Sequence, residues 1–249
     1  MFSMTEPKLE QTLVLIKPDA LNNSLTGYVL SQYSEFHTGL RFAGAKIVNV
    51  TRMLAEEHYA EHRGKPFFFA LSDYIRGKVH YPNAPDKRRV IALVFHGRDA
   101  IRKVREIAGP TNPHQARDTH PGCIRALGTV VPVTDESGKI IADRLDNLIH
   151  ASATPPEAER EIKLWFRPVD IPPLMRIYPA VLCQEHFYFK AGELFTEHEV
   201  GSTLLMAPGE IVWQSDLEVV QAIAKGQPAA YTLQAVAAKY LINALPEND

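Results

Sequence analysis

Apolar positions along this chain follow two spacings, and the switch between them marks its elements. Residues 11–16 form a short apolar run stopped by Pro18, the pattern of a buried strand. Residues 26–39 carry Tyr28, Val29, Tyr33 and Phe36 near helical spacing, with Gly39 suited to the C-terminus. Strands follow at 45–50 and 90–95, helices at 54–62, 66–75 and 100–107, and a polar loop with Pro82 and Pro85 at 77–89. Residues 109–125 read as irregular, residues 130–141 as a hairpin turning at Asp135-Glu136-Ser137-Gly138, and 147–151 as a short strand. Thr154-Pro155-Pro156-Glu157 opens a helix reaching Phe166, with threonine as cap, proline in the first turn and glutamate at the capping-box position.

Beyond Pro168 the texture changes. Prolines break the chain at 172, 173 and 179, residues 180–189 look extended, and Ser215-Asp216-Leu217-Glu218 reads as a second capping box. Leu233, Val236, Ala237, Tyr240 and Leu241 fall on one helical face. Strands mixed with helices predict an α+β fold: a ferredoxin-like βαββαβ antiparallel sheet with helices on one face, plus a C-terminal extension. The expected division is an N-terminal tail at 1–8, one folded domain at 9–168 and a partly helical extension at 169–249.

Composition narrows the class without giving the chemistry. The chain has 249 residues, 45% of them hydrophobic and 22% charged, enough to bury a core without disulfide or metal. A net charge of -2 offers no basic excess for nucleic acid or an anionic membrane, so neither partner is expected. The two cysteines, Cys123 and Cys183, form no disulfide framework, and the first residues carry charges where a secretory signal is apolar. These features predict a cytoplasmic protein. The usual phosphate signatures fail: Gly39, Gly44 and Lys46 lack the adjacent Gly-Lys-Ser/Thr of a P-loop, and no GxGxxG follows a strand.

Another constellation is present. Lys17-Pro18-Asp19 ends the first strand; Tyr59 follows, then Lys65-Pro66-Phe67-Phe68; Arg105 leads to Gly109-x-Thr111-Asn112-Pro113; Pro121-Gly122-x-Ile124-Arg125 comes next; Asn147-Leu148-Ile149-His150-Ala151-Ser152 is last, with Glu161 on the helix beyond. Singly, each has a plain structural reading: a turn, a core phenylalanine, a surface arginine. In this order they closely resemble the nucleoside diphosphate kinase family, over roughly residues 9–168.

Lys17, Arg105 and Arg125 supply cations for a polyphosphate, Thr111 a hydroxyl, and Phe67 a flat apolar face for a base. Asn147 and Lys17 suit ribose hydroxyls, and His150 is a nucleophile active near neutral pH. The resemblance implies that Glu161 fixes the tautomer of His150, that Tyr59 lies close to it, and that His150, Glu161, Tyr59 and Lys17 form the catalytic group. It further implies a ping-pong transfer of the γ-phosphate of ATP or another triphosphate to a nucleoside diphosphate through phosphorylated His150, and a homo-oligomer. Mg²⁺ is the implied cofactor, carried by the nucleotide phosphates rather than by protein ligands.

The chain departs from the family pattern in places. Ala151-Ser152-Ala153 stands where Gly-Ser-Asp is usual, the loop at 77–89 and the stretch from Arg125 to His150 are long, and the extension exceeds the usual short C-terminus. Two rival readings follow: a catalytically silent nucleotide-binding scaffold, or a protein histidine phosphocarrier. His58 and His62, at i and i+4, lack an apparent third ligand and read as a solvated pair rather than a zinc site.

Overall fold

The computed structural model describes residues 9–134 and 137–242. The chain opens with β1 (Leu9–Ile16), continues through α1 (Pro18–Asn22), α2 (Thr26–Gln32) and α3 (Glu35–Thr38), and returns as β2 (Arg41–Val48). Helices α4 (Arg52–His58) and α5 (Phe68–Ile75) precede β3 (Val90–Arg98); α6 (Ala100–Ala108) and α7 (Pro113–Thr119) follow it. A hairpin, β4 (Thr129–Thr134) and β5 (Ile140–Asp146), leads to β6 (Ile149–Ala151) and α8 (Pro155–Trp165). The strands order as β2-β3-β1-β6, every neighbouring pair antiparallel, which is the ferredoxin-like arrangement.

Continuous apolar runs in the central strands mean that both faces of the sheet must be covered. Val14, Ile16, Leu93 and Phe95 pack with Val29 of α2 and Val104 of α6. Leu13, Leu15, Ala92 and Val94 pack on the opposite face with Leu54 of α4 and Ile162 and Trp165 of α8. The expectation of helices on one face therefore holds for the crossover helices α2 and α6 and is too narrow for the molecule, because β1 and β3 present large side chains on both sides.

Other differences have local causes. The stretch at 26–39 is broken between α2 and α3; Gly39 takes the expected left-handed cap at φ 67°, but Phe36 lies 91% exposed because the break shifts the helical phase. Residues 113–119, read as irregular, form α7, with Pro113 in its first turn and the Asn112 side chain accepting from His114 N at 2.8 Å. The hairpin at 130–141 forms as β4–β5, while Asp135 and Glu136 of its proposed turn, and the tail at 1–8, lie outside the described residues.

The extension folds back onto the sheet domain. It contains β7 (Ala180–Leu182), β8 (Phe187–Lys190), β9 (Glu193–Phe195), β10 (Thr203–Met206), β11 (Ile211–Trp213), α9 (Gln214–Ala224) and α10 (Leu233–Ala237). Strands order as β10-β8-β9 and as β11-β7. The second capping box does not form: Ser215 lies inside α9, and Asp216 instead accepts from Lys239 Nζ at 3.0 Å and from Tyr231 OH at 2.7 Å. Trp213 is fully buried and donates to the Phe166 carbonyl at 2.7 Å, just past the end of α8.

Candidate functional site

The end of β1 and the start of β6 lie side by side, and this pairing builds the site. His150 pairs with Leu15, and Lys17 N donates to Leu148 O at 2.9 Å. Between Asn147 and Ile149 the chain turns through Leu148 at φ 70°, a conformation that costs a leucine on the order of 1–3 kcal/mol. Two bonds hold it there: the one from Lys17 N, and Leu148 N to the Asp19 carboxylate at 2.7 Å. The turn aims Asn147 at Lys17. Lys17 Nζ donates to Asn147 Oδ1 and to Tyr74 OH, and Asn147 Nδ2 donates to Thr111 O at 2.8 Å.

Strand β6 also anchors the arginine loop. Arg125 is buried and donates to Gly109 O at 2.9 Å and Ile149 O at 3.2 Å, while its Nε has no partner among the described residues. Burial lowers the pKa of Arg125, and nearby Arg105, exposed on α6, lowers it further. Burial likewise pushes the Lys17 ammonium down, partly offset by Asp19. Three cations thus lie near one another, and the bonds that Lys17 and Arg125 make take up only part of their donor capacity. Such a cluster of cations attracts polyphosphate.

His150 is held from the other side. Its Nε2 lies 2.9 Å from Glu161 Oε2, and the Ser152 hydroxyl donates to the same oxygen at 2.7 Å. A carboxylate can only accept here, so Nε2 carries the hydrogen, and in the neutral ring this tautomer puts the lone pair on Nδ1. Burial alone would raise the Glu161 carboxyl; His150, His58 and Ser152 instead hold it at about 2. The capping of α8 places this glutamate: Thr154 Oγ1 accepts from Glu157 N at 3.3 Å, and Glu157 reaches back to Ala153 N at 3.0 Å.

A row of rings leads outward from His150. Its ring meets His58 edge-on at 4.6 Å, His58 meets Tyr59 at 4.8 Å, Tyr59 stacks on His62 at 6.2 Å, and His62 meets Phe67 at 5.6 Å. Phe67 is 49% exposed, a free apolar face, whereas Phe68 is core. Burial raises the Tyr59 phenol, and the Glu161 charge adds to this, so it stays protonated.

The solvated pair expected at 58 and 62 is corrected here. His58 is 2% exposed, because it lies on the inner face of α4 against Trp165 and His150. Burial, then His150, lowers its pKa to about 3, so it is neutral in use. Donor atoms of His58, His150 and Glu161 lie within 4.8 Å of one another. Yet the Trp165 indole donates to His58 Nδ1 at 3.3 Å, which puts the hydrogen on Nε2 and turns that atom into a donor, the wrong form for a metal ligand.

The structure thus brings Lys17, Thr111, Arg125, Asn147, His150 and Glu161 together, with Arg105, Tyr59 and Phe67 at the margin. Asp19, His58, Tyr74 and Ser152 complete the surroundings; none of them is among the expected site residues, and His58 enters the sequence reading only as half of a solvated pair. Asp19 and Ser152 sit inside the quoted motifs; for His58 and Tyr74 the inward face of each helix was the available signal.

The nucleoside diphosphate kinase family model matches residues 10–171. The chain is accordingly an α+β phosphotransferase. It is 40% identical to the nucleoside diphosphate kinase of Thermococcus kodakarensis over 168 residues, covering 68% of this chain and 83% of that one. With the Thermus thermophilus nucleoside diphosphate kinase it shares 37% over 163 residues, 66% of this chain and 99% of that one. The crystal structure of the Aquifex aeolicus nucleoside diphosphate kinase superposes with a TM-score of 0.53 at 32% identity, covering 66% of this chain and all of that one. The chain belongs to the nucleoside diphosphate kinase family. Among the described residues no helix is long and apolar enough to cross a membrane.

Proposed function

We propose that this phosphotransferase moves the γ-phosphoryl group of a nucleoside triphosphate to a nucleoside diphosphate by way of His150 Nδ1. The observation that carries this reading is the His150 Nε2 to Glu161 contact at 2.9 Å, which leaves the Nδ1 lone pair for attack. In the first half-reaction Nδ1 forms a bond to the γ-phosphorus. The bond from that phosphorus to the bridging oxygen breaks, and the diphosphate leaves with the electron pair. In the second, a β-phosphate oxygen of another diphosphate takes the phosphoryl group and the N–P bond breaks.

Glu161 compensates the positive charge that phosphorylation leaves on the imidazole. Lys17, Arg105 and Arg125 neutralise the phosphates, and the Thr111 hydroxyl donates to them. Phe67 stacks a base without selecting one, and Lys17 and Asn147 hold the ribose. Tyr59 helps wall the nucleophile. Most of the buried carboxylate oxygens around Lys17 and His150 are already engaged: Glu161 by His150, Asp146 by Arg144 and His80, and Asp19 through Oδ2 by Leu148 N, its Oδ1 being without a hydrogen-bond partner among the described residues. Residues so committed fit a Mg²⁺ ion that arrives on the nucleotide and keeps its waters, adding charge neutralisation at the phosphates.

A cytoplasmic setting suits the two buried free thiols, and edge strand β2, with Phe42 and Ile47 exposed, offers a face for a homo-oligomer.

Incubation with γ-labelled ATP, followed by GDP, tests the mechanism. The expected result is an acid-labile phosphoprotein that discharges to GTP and is absent in His150→Ala. Nucleotide binding without labelling would overturn it in favour of a silent binding protein. Label that no nucleoside diphosphate removes would indicate a phosphocarrier.

A further inference from the structure

The loop after α5 and the hairpin β4–β5 meet behind Lys17. His80, on the loop, donates from Nε2 to Asp146 Oδ2 at 3.2 Å. Arg144 grips the same carboxylate with two bonds, Nε to Oδ1 at 2.9 Å and its terminal nitrogen to Oδ2 at 3.0 Å. The side chains of His80 and Asp146 are 7% and 10% exposed. Burial favours the neutral acid, but His80 and Arg144 hold Asp146 at about 2, so the pair persists as an anion with its donors.

From this junction two paths run to the ribose-binding pair. One is covalent: Asp146 is the residue before Asn147 and fixes where the strained turn begins. The other is through packing. The His80 ring meets Tyr74 edge-on at 5.1 Å; Tyr74 OH accepts from Lys17 Nζ at 3.1 Å, and the Tyr74 ring lies 4.6 Å from the same ammonium. Lys17 and Asn147 are bonded to each other, so a shift at either end of the clasp moves both.

We propose that His80 and Asp146 are positioning residues: their bond ties loop to hairpin and sets how strictly Lys17 and Asn147 read the ribose hydroxyls. This rests on the reading of Lys17 and Asn147 as the ribose contacts. The same reading gives neither His80 nor Asp146, both largely buried, a contact with the nucleotide. Loss of their bond is therefore felt as loss of discrimination rather than of chemistry.

The test compares kcat/KM for ATP and for 2′,3′-dideoxy-ATP in the full chain, in His80→Phe and in His80→Gln. Phenylalanine keeps a ring against Tyr74 and gives up the bond; glutamine places an N–H near the position of Nε2. The preference of the wild-type chain for ATP is expected to fall by about tenfold in His80→Phe, the scale of one lost charge-assisted bond, and to recover in His80→Gln. Both substrates slowing equally in His80→Phe, with the preference intact, would overturn the clasp and leave a mere fold tie. The same holds if His80→Gln loses the preference as fully as His80→Phe. A wild-type chain with no preference would overturn the ribose reading itself, and with it the clasp. That outcome is distinct, because failure of the clasp alone leaves the wild-type preference in place.

Discussion

Glu161 serves the fold and the site through one carboxylate, and its titration separates the two roles. Its pKa drops from 4.5 in an open chain to about 2 in the fold. A depressed carboxyl contributes stability above its unfolded value and loses it as pH falls through the folded one. The window is therefore about pH 5 down to 2, and the shift amounts to roughly 3 kcal/mol. Melting temperature followed against pH should fall across that window in the wild-type chain and stay flatter in Glu161→Gln. The same variant at pH 7 keeps an acceptor for His150 Nε2 but not the charge, so kcat should drop by about a hundredfold with KM little changed. His58 makes a second case. Replacing it by phenylalanine preserves the ring but leaves the buried Trp165 indole without its acceptor, which should cost about 1–3 kcal/mol in urea unfolding. At this scale the sequence was most readable where chemistry comes in short motifs, as with Lys17, Asn147 and His150. His58 escaped because i, i+4 spacing places two histidines on one side of a helix without saying whether that side faces water.

Elements differ in how much of their geometry is local. Helix α8 was legible from its cap alone, since Thr154 and the prolines after it act within one turn. The loop from α6 to Arg125 was not, because its shape depends on contacts distant in sequence. Gly109 shows this. It sits at φ 81°, and a Cβ there would lie 2.1 Å from Cys123 Sγ, closer than any real contact. Its carbonyl also receives Arg125. In Gly109→Ala the turn must open and push Cys123 away, and Arg125 loses one of its two anchors, keeping Ile149 O. The expected result is a rise in KM for nucleotides of about tenfold or more, with melting temperature lowered by several degrees. Cys123→Ala combined with Gly109→Ala should recover part of the KM by making room. Unchanged nucleotide KM in Gly109→Ala would mean that Arg125 is not positioned from this turn. The Asn112 cap and Pro113 were visible signals of α7. The glycines and prolines around them give the stretch its irregular pattern and mask that signal.

Whether the extension is a separate unit or part of one cooperative fold is a question for the whole molecule. The change of texture after Pro168 suggested a boundary, but the packing crosses it. Trp213 and Ala238 lie in the same apolar cluster as Leu13, Val94 and Trp165, and Lys163 of α8 donates to Ser215 at 3.0 Å. The tail thus closes the outer side of α8, whose inner side carries Glu161. Trp213→Ala removes a fully buried indole and its bond to Phe166 O, a loss of roughly 3–5 kcal/mol. The chain has two tryptophans, so this variant leaves Trp165, beneath His58, as the one indole reporter of α8. Denaturant unfolding followed by Trp165 fluorescence and by far-ultraviolet circular dichroism then reports on the site and on the whole chain separately. Coincident transitions at a lower midpoint than the wild-type chain are expected, because the cluster that Trp213 leaves is shared. An early loss of dichroism with Trp165 fluorescence unmoved would show an extension that unfolds alone, and would make α8 self-sufficient. If the transitions coincide, destabilising the tail also loosens the helix that holds Glu161 against His150. Activity should then fall at temperatures where the wild-type chain still works, although Trp213 touches no substrate.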